Sequence, residues 1–193
     1  MQLPNKLLRD YRRLLRLITD GAVFTAVDTE TTGLSPETGR IIEIGAVKFD
    51  SSGVLDVFDT LVNPECPIPA SSSNINHITD EMVASSPVIK SVFPDFMTFI
   101  GSSILVAHNA PFDLLFINKE LERCCLPQMA NKAIDTLNLS RWAYPSAAHH
   151  SLQYLAHAMN IEVKDAHRAC DDARVCSEIF LRCIRDTDSV QKK

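Results

Sequence analysis

FTAVDTETTGL, at residues 24–34, starts as an apolar, β-branched run and ends in two acids and a glycine turn. Such a run reads as a buried strand, Ala22–Asp28, with its last side chains delivered to the edge of the core. Strand side chains alternate, so Asp28 and Glu30 leave on one face together. Two adjacent carboxylates repel, and burying them is costly unless positive charge lies between them. A hard divalent cation with oxygen ligands meets that need. Thr31, Thr32 and Gly33 then offer backbone N–H groups to a phosphate or a terminal sugar hydroxyl. Taken alone, the D-x-E pair equally describes a strand end with two solvated acids.

Outward from this strand, Ile41–Phe49 and Val54–Val62 are further strand-like runs, joined by the turn Asp50-Ser51-Ser52-Gly53, which predicts a hairpin. Pro64, Pro67 and Pro69 mark an irregular loop. Thr79–Ala84 reads as a short helix with Thr79 as N-cap and Met82 and Val83 facing inward. A longer helix is predicted over Pro87–Ile100, a buried strand over Ser103–Ala107, and a helix from Pro111 to about Arg123. Ala133–Asp135 reads as a fifth, short strand, and helices follow at about 150–159 and 168–185. Three consecutive strands and then alternation of helix and strand predict a mixed α/β sheet with helices on both faces. Ahead of it, residues 5–19 place Leu7, Tyr11, Leu14, Leu15 and Ile18 at helical spacing. The chain thus divides into a helical extension at 1–20, a body at 21–187 and a short tail at 188–193.

Two more acids stand out. Asp113, in AHNAPFDLLFIN, falls in the first turn of a helix that is apolar all round and therefore buried. A lone acid there needs the helix N-terminus or a metal as partner. In HRACDDARVCSEIFLRC, helical spacing separates Asp172 from Asp171. Ala169, Asp172, Cys176, Ile179 and Cys183 form an apolar stripe; Asp171, Arg174, Glu178 and Arg182 form a charged one. Asp172 is the inward carboxylate and Asp171 the solvated one. His167, just before this helix, titrates near neutrality and can accept a proton from water, although a single histidine so placed also fits a surface or capping role.

The bulk properties narrow the partners. The net charge of −5 argues against a protein that coats long nucleic acid by electrostatics. Residues 1–20 carry five basic and two acidic residues, a net +3, which leaves −8 on the remainder. An acidic body that handles phosphates needs metal ions to reverse the local sign. No apolar run reaches membrane-spanning length, and Lys6, Arg9, Arg12, Arg13 and Arg16 break up any secretory signal. The six cysteines form no C-x-x-C pair and read as reduced thiols, so a cytoplasmic setting is expected.

Together these residues resemble the DEDD exonucleases of the histidine subtype (DEDDh, or DnaQ-like), the group that includes the proofreading epsilon subunit of bacterial DNA polymerase III. The match runs from about residue 22 to 185. VDTETTGL carries Asp28 and Glu30, AHNAPFD carries Asp113, and HRACDDA carries His167 and Asp172; IIEIGAVKFD and IDTLNLSR are also similar to family segments. The sister subtype has tyrosine four residues before the last acid, where this chain has Arg168. The chain departs from the family at Asn76-His77-Ile78-Thr79, where His-Gly-Ile-Thr is common.

The resemblance implies a ribonuclease H-like fold: a mixed five-stranded sheet, three antiparallel strands followed by parallel ones. It implies a 3′→5′ exonuclease that releases nucleoside 5′-monophosphates. Two divalent metal ions, Mg²⁺ or Mn²⁺, would be held by Asp28, Glu30, Asp113 and Asp172, with His167 as general base. Thr31, Thr32, Gly33, Leu34, Asn76, His77, Thr79, Asn109 and Phe112 would contact the substrate. Leu34 occupies the position that wedges against the terminal base, with core packing as its alternative. The implied partner is the 3′ end of single-stranded DNA, in proofreading or repair. An exoribonuclease that trims RNA or short oligoribonucleotides uses the same chemistry, and contacts to the 2′-OH decide between them. A catalytically inactive nucleic-acid-binding or scaffold module is the third reading, against which the intact acids and His167 stand. The 1–20 helix is expected to pack on its own domain, with a homodimer or a polymerase partner as its alternative roles, and no membrane is expected. The short stretch after the last helix favours a free-standing enzyme.

Overall fold

The computed structural model describes residues 5–191; the expectations for residues 1–4 and 192–193 lie outside the described residues. Strands β1 (Phe24–Thr31), β2 (Ile41–Asp50), β3 (Gly53–Leu61), β4 (Ile104–Ala107) and β5 (Ala133–Asp135) form one sheet in the order β3-β2-β1-β4-β5. β1, β2 and β3 pair antiparallel, whereas β4 and β5 add in parallel beside β1. The hairpin closes as its turn chemistry requires, with the Asp50 carboxylate accepting the Ser52 N–H at 2.7 Å.

Eight helices surround the sheet among the described residues: α1 (Tyr11–Thr19), α2 (Ala70–Asn76), α3 (Asp80–Val83), α4 (Ile89–Ile100), α5 (Pro111–Arg123), α6 (Thr136–Ala143), α7 (Leu152–Ala158) and α8 (Ala169–Gln191). Alternation along β1 divides the core. Phe24 and Ala26 face α1, α6, α7 and α8, where Phe24, Phe49 and Phe180 pack with ring centroids 5.0–5.8 Å apart. Val27 faces α4 and α5 with Ile44, Phe93, Phe96 and Phe116. No helix among the described residues is long and apolar enough to cross a membrane.

Several boundaries differ from the sequence reading. The N-terminal helix starts at Tyr11 rather than near residue 5, with the Asp10 side chain accepting the Arg13 N–H. The residues before it are extended and bond to β5: Leu8 N–H to the Ala133 carbonyl at 2.7 Å, and Ala133 N–H to the Lys6 carbonyl at 3.0 Å. A three-residue edge strand is thereby covered, a tertiary gain that outweighs the local helical pattern. α8 runs through the expected boundary at residue 187 to Gln191. The proline-rich loop contains α2, and α6 follows β5 directly because the Asp135 side chain caps it at Leu137 N–H. Val83 is buried as expected, but Met82 is exposed and Thr79 makes no side-chain cap bond.

One glycine is dictated by packing. A Cβ on Gly45 of β2 would lie 2.1 Å from the Ala169 carbonyl carbon and 2.2 Å from the Cys170 nitrogen. Only hydrogen at this position lets the start of α8 rest directly on the sheet.

Candidate active site

The acids arrive from three elements. Asp28 and Glu30 end β1 opposite Gly45 and Glu43 of β2, and the pairing register shifts between Glu30 and Thr31. Irregularities of this kind bend a strand and re-aim its side chains. Thr29, between the two acids, points to the other face and donates its N–H (3.0 Å) and hydroxyl (2.8 Å) to Asp113 Oδ1. Asp113 lies in the first turn of α5 and is buried. Three consecutive residues therefore supply two acids and grip a third.

α8 contributes Asp172, buried as the stripe argument requires. Gln153 of α7 donates its amide to Asp172 Oδ1 at 3.1 Å, and the His167 N–H donates to Oδ2 at 3.3 Å. His167 is exposed and sits in the left-handed region at φ 61°. Among the described residues, Glu30, His167 and Asp172 bring one ligand atom each within 4.8 Å of one another. Asp28 and Asp113 fall outside that triplet. Asp28 remains within electrostatic reach of Asp113, Asp172 and Glu30.

The electrostatics record crowding of like charge. Burial first, and then Asp113, Asp172 and Glu30, hold the Asp28 carboxyl well above its ordinary range. Burial pushes Glu30 up to about 8 against a hydrogen bond from Asn76, with Asp172 and Glu43 adding to the rise. Burial also takes Asp113 to about 7, against the bonds from Thr29, and raises Asp172. Each raised pKa records a demand for positive charge that protons, or divalent cations, would meet. An all-oxygen donor set with one adjacent imidazole suits Mg²⁺ or Mn²⁺.

Asp171 differs from its expected solvated state. Its Oδ2 accepts the N–H groups of Lys164 (2.7 Å) and Asp165 (2.9 Å), and Oδ1 pairs with Arg174 at 2.7 Å. The charged stripe is present, but its first acid is turned onto the loop before α8.

Of the expected substrate-side residues, Asn76 is bonded to a cluster acid, Glu30. Leu34 is 88% exposed, which excludes core packing. Gly33 is half-buried; Thr31 and Thr32 are buried and spend their hydroxyls within the loop, on the Gly33 carbonyl and the Arg40 N–H. The Thr32 N–H is also taken, by the Arg40 carbonyl at 2.9 Å, and is not open to a phosphate. Asn76 is buried, with its carbonyl oxygen accepting the Ile78 N–H and its side chain bonded to Glu30; it holds an acid rather than facing solvent. His77 and Thr79 are exposed beside it. Asn109 is exposed at φ 67°, its N–H donated to Asp135, and Phe112 packs on Phe116 with centroids 4.9 Å apart. Sequence reasoning missed Thr29, Gln153, Glu43 and Gly45. Only Gly45, a glycine inside a strand, carried a signal.

A family model described as Exonuclease (RNase_T) matches residues 25–180. The DNA polymerase III epsilon subunit of Treponema pallidum (strain Nichols) is 46% identical over 169 residues, which cover 86% of this chain and 79% of that one. The PolC-type DNA polymerase III of Caldanaerobacter subterraneus is 38% identical over 86% of this chain, which spans 12% of that larger protein. Among solved structures, Exonuclease X in complex with 5′-overhanging duplex DNA superposes with a TM-score of 0.70 at 30% identity, over 86% of this chain and 93% of that one. The nuclease domain of 3′hExo, a DEDDh family member, shares the fold at TM-score 0.75 and 19% identity. The chain belongs to this exonuclease family and is a 3′→5′ exonuclease of the DEDDh, epsilon-like type.

Proposed function

We propose that the enzyme hydrolyses DNA from the 3′ end to nucleoside 5′-monophosphates, with two divalent cations and His167 as general base. The observation that carries this reading is the convergence of Asp28, Glu30, Asp113 and Asp172, buried or partly buried, with carboxyl pKa values all raised, beside one exposed imidazole. Asp28, Glu30, Asp113 and Asp172 would hold the cations. Bound there, Mg²⁺ or Mn²⁺ supplies Lewis-acid stabilisation of phosphate charge and makes water acidic enough to attack at neutral pH.

The protein's own groups do the rest. His167 stands exposed beside Glu30 and Asp172, so its imidazole can take the proton of the attacking water and return it to solvent. Thr29, Gln153 and Asn76 hold Asp113, Asp172 and Glu30 in place, so the acids need not reorganise during the reaction. Leu34, His77, Thr79, Asn109 and Phe112 would form the surface for the terminal nucleotide, with Gly33 allowing close backbone approach.

The DNA substrate is favoured by the epsilon and Exonuclease X likenesses; the RNA-processing neighbours are under 25% identical and carry the fold alone. We further read residues 21–187 as the exonuclease unit, working in the cytoplasm alone, as a homodimer or beside a polymerase. The test is degradation of 3′-labelled and 5′-labelled DNA and RNA oligomers with Mn²⁺ and with chelator. Mononucleotides released first from 3′-labelled DNA, only with metal, are expected. Release from the 5′ end, or undiminished release in chelator, would overturn the reading, and preferential loss of RNA would move the substrate to RNA. His167 lies close enough to Glu30 and Asp172 to be a ligand instead of a base. A His167→Ala enzyme with weakened Mn²⁺ affinity but normal kcat at saturating metal would favour that role.

A further inference from the structure

His167 holds a left-handed backbone conformation, φ 61°, that residues with side chains adopt when their surroundings impose it. Among the described residues its imidazole takes no hydrogen bond of its own, so no side-chain anchor fixes the ring and its place beside Glu30 and Asp172 depends on the backbone that carries it. That backbone is tied down on both sides. After His167, the Arg168 guanidinium grips Glu43 of β2, with Nε at 3.0 Å and Nη2 at 2.6 Å from Oε1, while Glu43 Oε2 accepts the Ala169 N–H at 2.8 Å. Before His167, Asp171 accepts the N–H groups of Lys164 and Asp165, and Arg174, paired with Asp171, also donates to the Glu162 carbonyl. Glu43 is buried and the Asp171 side chain is only 10% exposed, so neither tie is an ordinary surface ion pair.

A buried ion pair adds little to stability over an apolar pair of similar size, so stability alone is a weak reason for Arg168 and Glu43. A planar, two-pronged guanidinium bond fixes direction, which a point charge does not. Asp171 and Asp172 divide the work: one faces the acid cluster, the other holds the loop that precedes it. We propose that the Arg168–Glu43 pair and Asp171 are positioning residues for hydrolysis, which hold the chain on either side of His167 and so set the place of its imidazole relative to Glu30 and Asp172. The proposal rests on His167 acting as the base.

The test compares Arg168→Lys, Asp171→Ala and His167→Ala, with the doubles R168K/H167A and D171A/H167A, on a 3′-labelled oligonucleotide at saturating Mn²⁺. Arg168→Lys and Asp171→Ala are each expected to lower kcat about 10- to 100-fold, with KM within about threefold. In the His167→Ala background each costs far less than in the wild type, what remains being carried by the His167 N–H bond to Asp172, since no imidazole is left to be misplaced. Fully additive losses in that background, or kcat within about threefold of wild type for both single variants, overturn the proposal. A wild-type kcat for His167→Ala instead removes the base reading itself, a distinct result that takes the proposal with it. If a single variant does not fold by circular dichroism, the paired change Glu43→Gln with Arg168→Gln replaces it and is read the same way, because it leaves no buried charge unpaired.

Discussion

Gly45→Ala is expected to slow hydrolysis by about 100-fold while leaving a folded protein. The added Cβ would stand 2.1 Å from the Ala169 carbonyl carbon, 2.2 Å from the Cys170 nitrogen and 2.4 Å from the Ala169 oxygen. Carbon atoms rest about 3.5 Å apart, so a gap of roughly 1.4 Å must open. The opposing atoms are backbone, and no rotamer change relieves them. β2 and the start of α8 must therefore separate, and Asp172 lies three residues into the moving segment, with His167 just ahead of it. Misplacing a reacting group by about 1 Å costs on the order of 100-fold in rate. Overpacking costs about 1–3 kcal/mol, a fall of roughly 2–12 °C in Tm for a chain of this size. Single-turnover release from a 3′-labelled oligonucleotide at saturating Mn²⁺, well below that Tm, measures the effect. A rate within about threefold of wild type would refute the claim that the contact at Gly45 places the α8 acid.

Asp172→Asn is expected to abolish activity, while Asp171→Asn, which keeps an acceptor for the Lys164 and Asp165 N–H groups but gives up the Arg174 ion pair, costs less than Asp171→Ala; equal loss in Asp172→Asn and Asp171→Asn would undo the assignment of faces on α8. Thr29→Val removes the hydroxyl bond to Asp113 but not the N–H bond, so kcat falls about tenfold and more Mn²⁺ is needed for half-maximal rate; an unchanged metal titration would show that the hydroxyl does not hold Asp113 for the cation. Glu30 is raised to about 8 and Asp113 to about 7, mainly by burial. Unfolded carboxyls titrate near pH 4, so the metal-free fold binds extra protons up to about pH 8 and loses stability as pH rises through that window. Cations compete with those protons, so Mn²⁺ raises Tm more at pH 8 than at pH 6; the same rise at both, by differential scanning fluorimetry, would separate metal binding from these carboxyls.

The parts of the fold written in short-range patterns were legible. Alternation and turn chemistry located β1 and the β2–β3 hairpin, and the spacing of Asp28 and Glu30 placed two acids on one strand face. Helical periodicity turned Asp172 inward. Long-range bonds left no such trace. The contacts of Gln153 with Asp172, Asn76 with Glu30 and Thr29 with Asp113 join residues up to 84 positions apart, and polar side chains of this kind occur anywhere in a sequence. Periodicity gave Leu7 to a helix because it ignores the open edge of β5, which claimed those residues. A charged stripe predicts a solvated Asp171 because it says nothing of a loop folded back upon it. α2 and α6 were missed because they are short and carry little pattern, their starts being set by Pro69 and by Asp135.

α8 follows all five strands in the chain, yet it carries Asp172, about 145 positions from Asp28. All five strands are synthesised before this helix. Until α8 seats over Gly45, the nascent protein holds an acid cluster short of one member and a histidine without its moorings. The full set of acids therefore comes together only once α8 has been made and seated on the sheet.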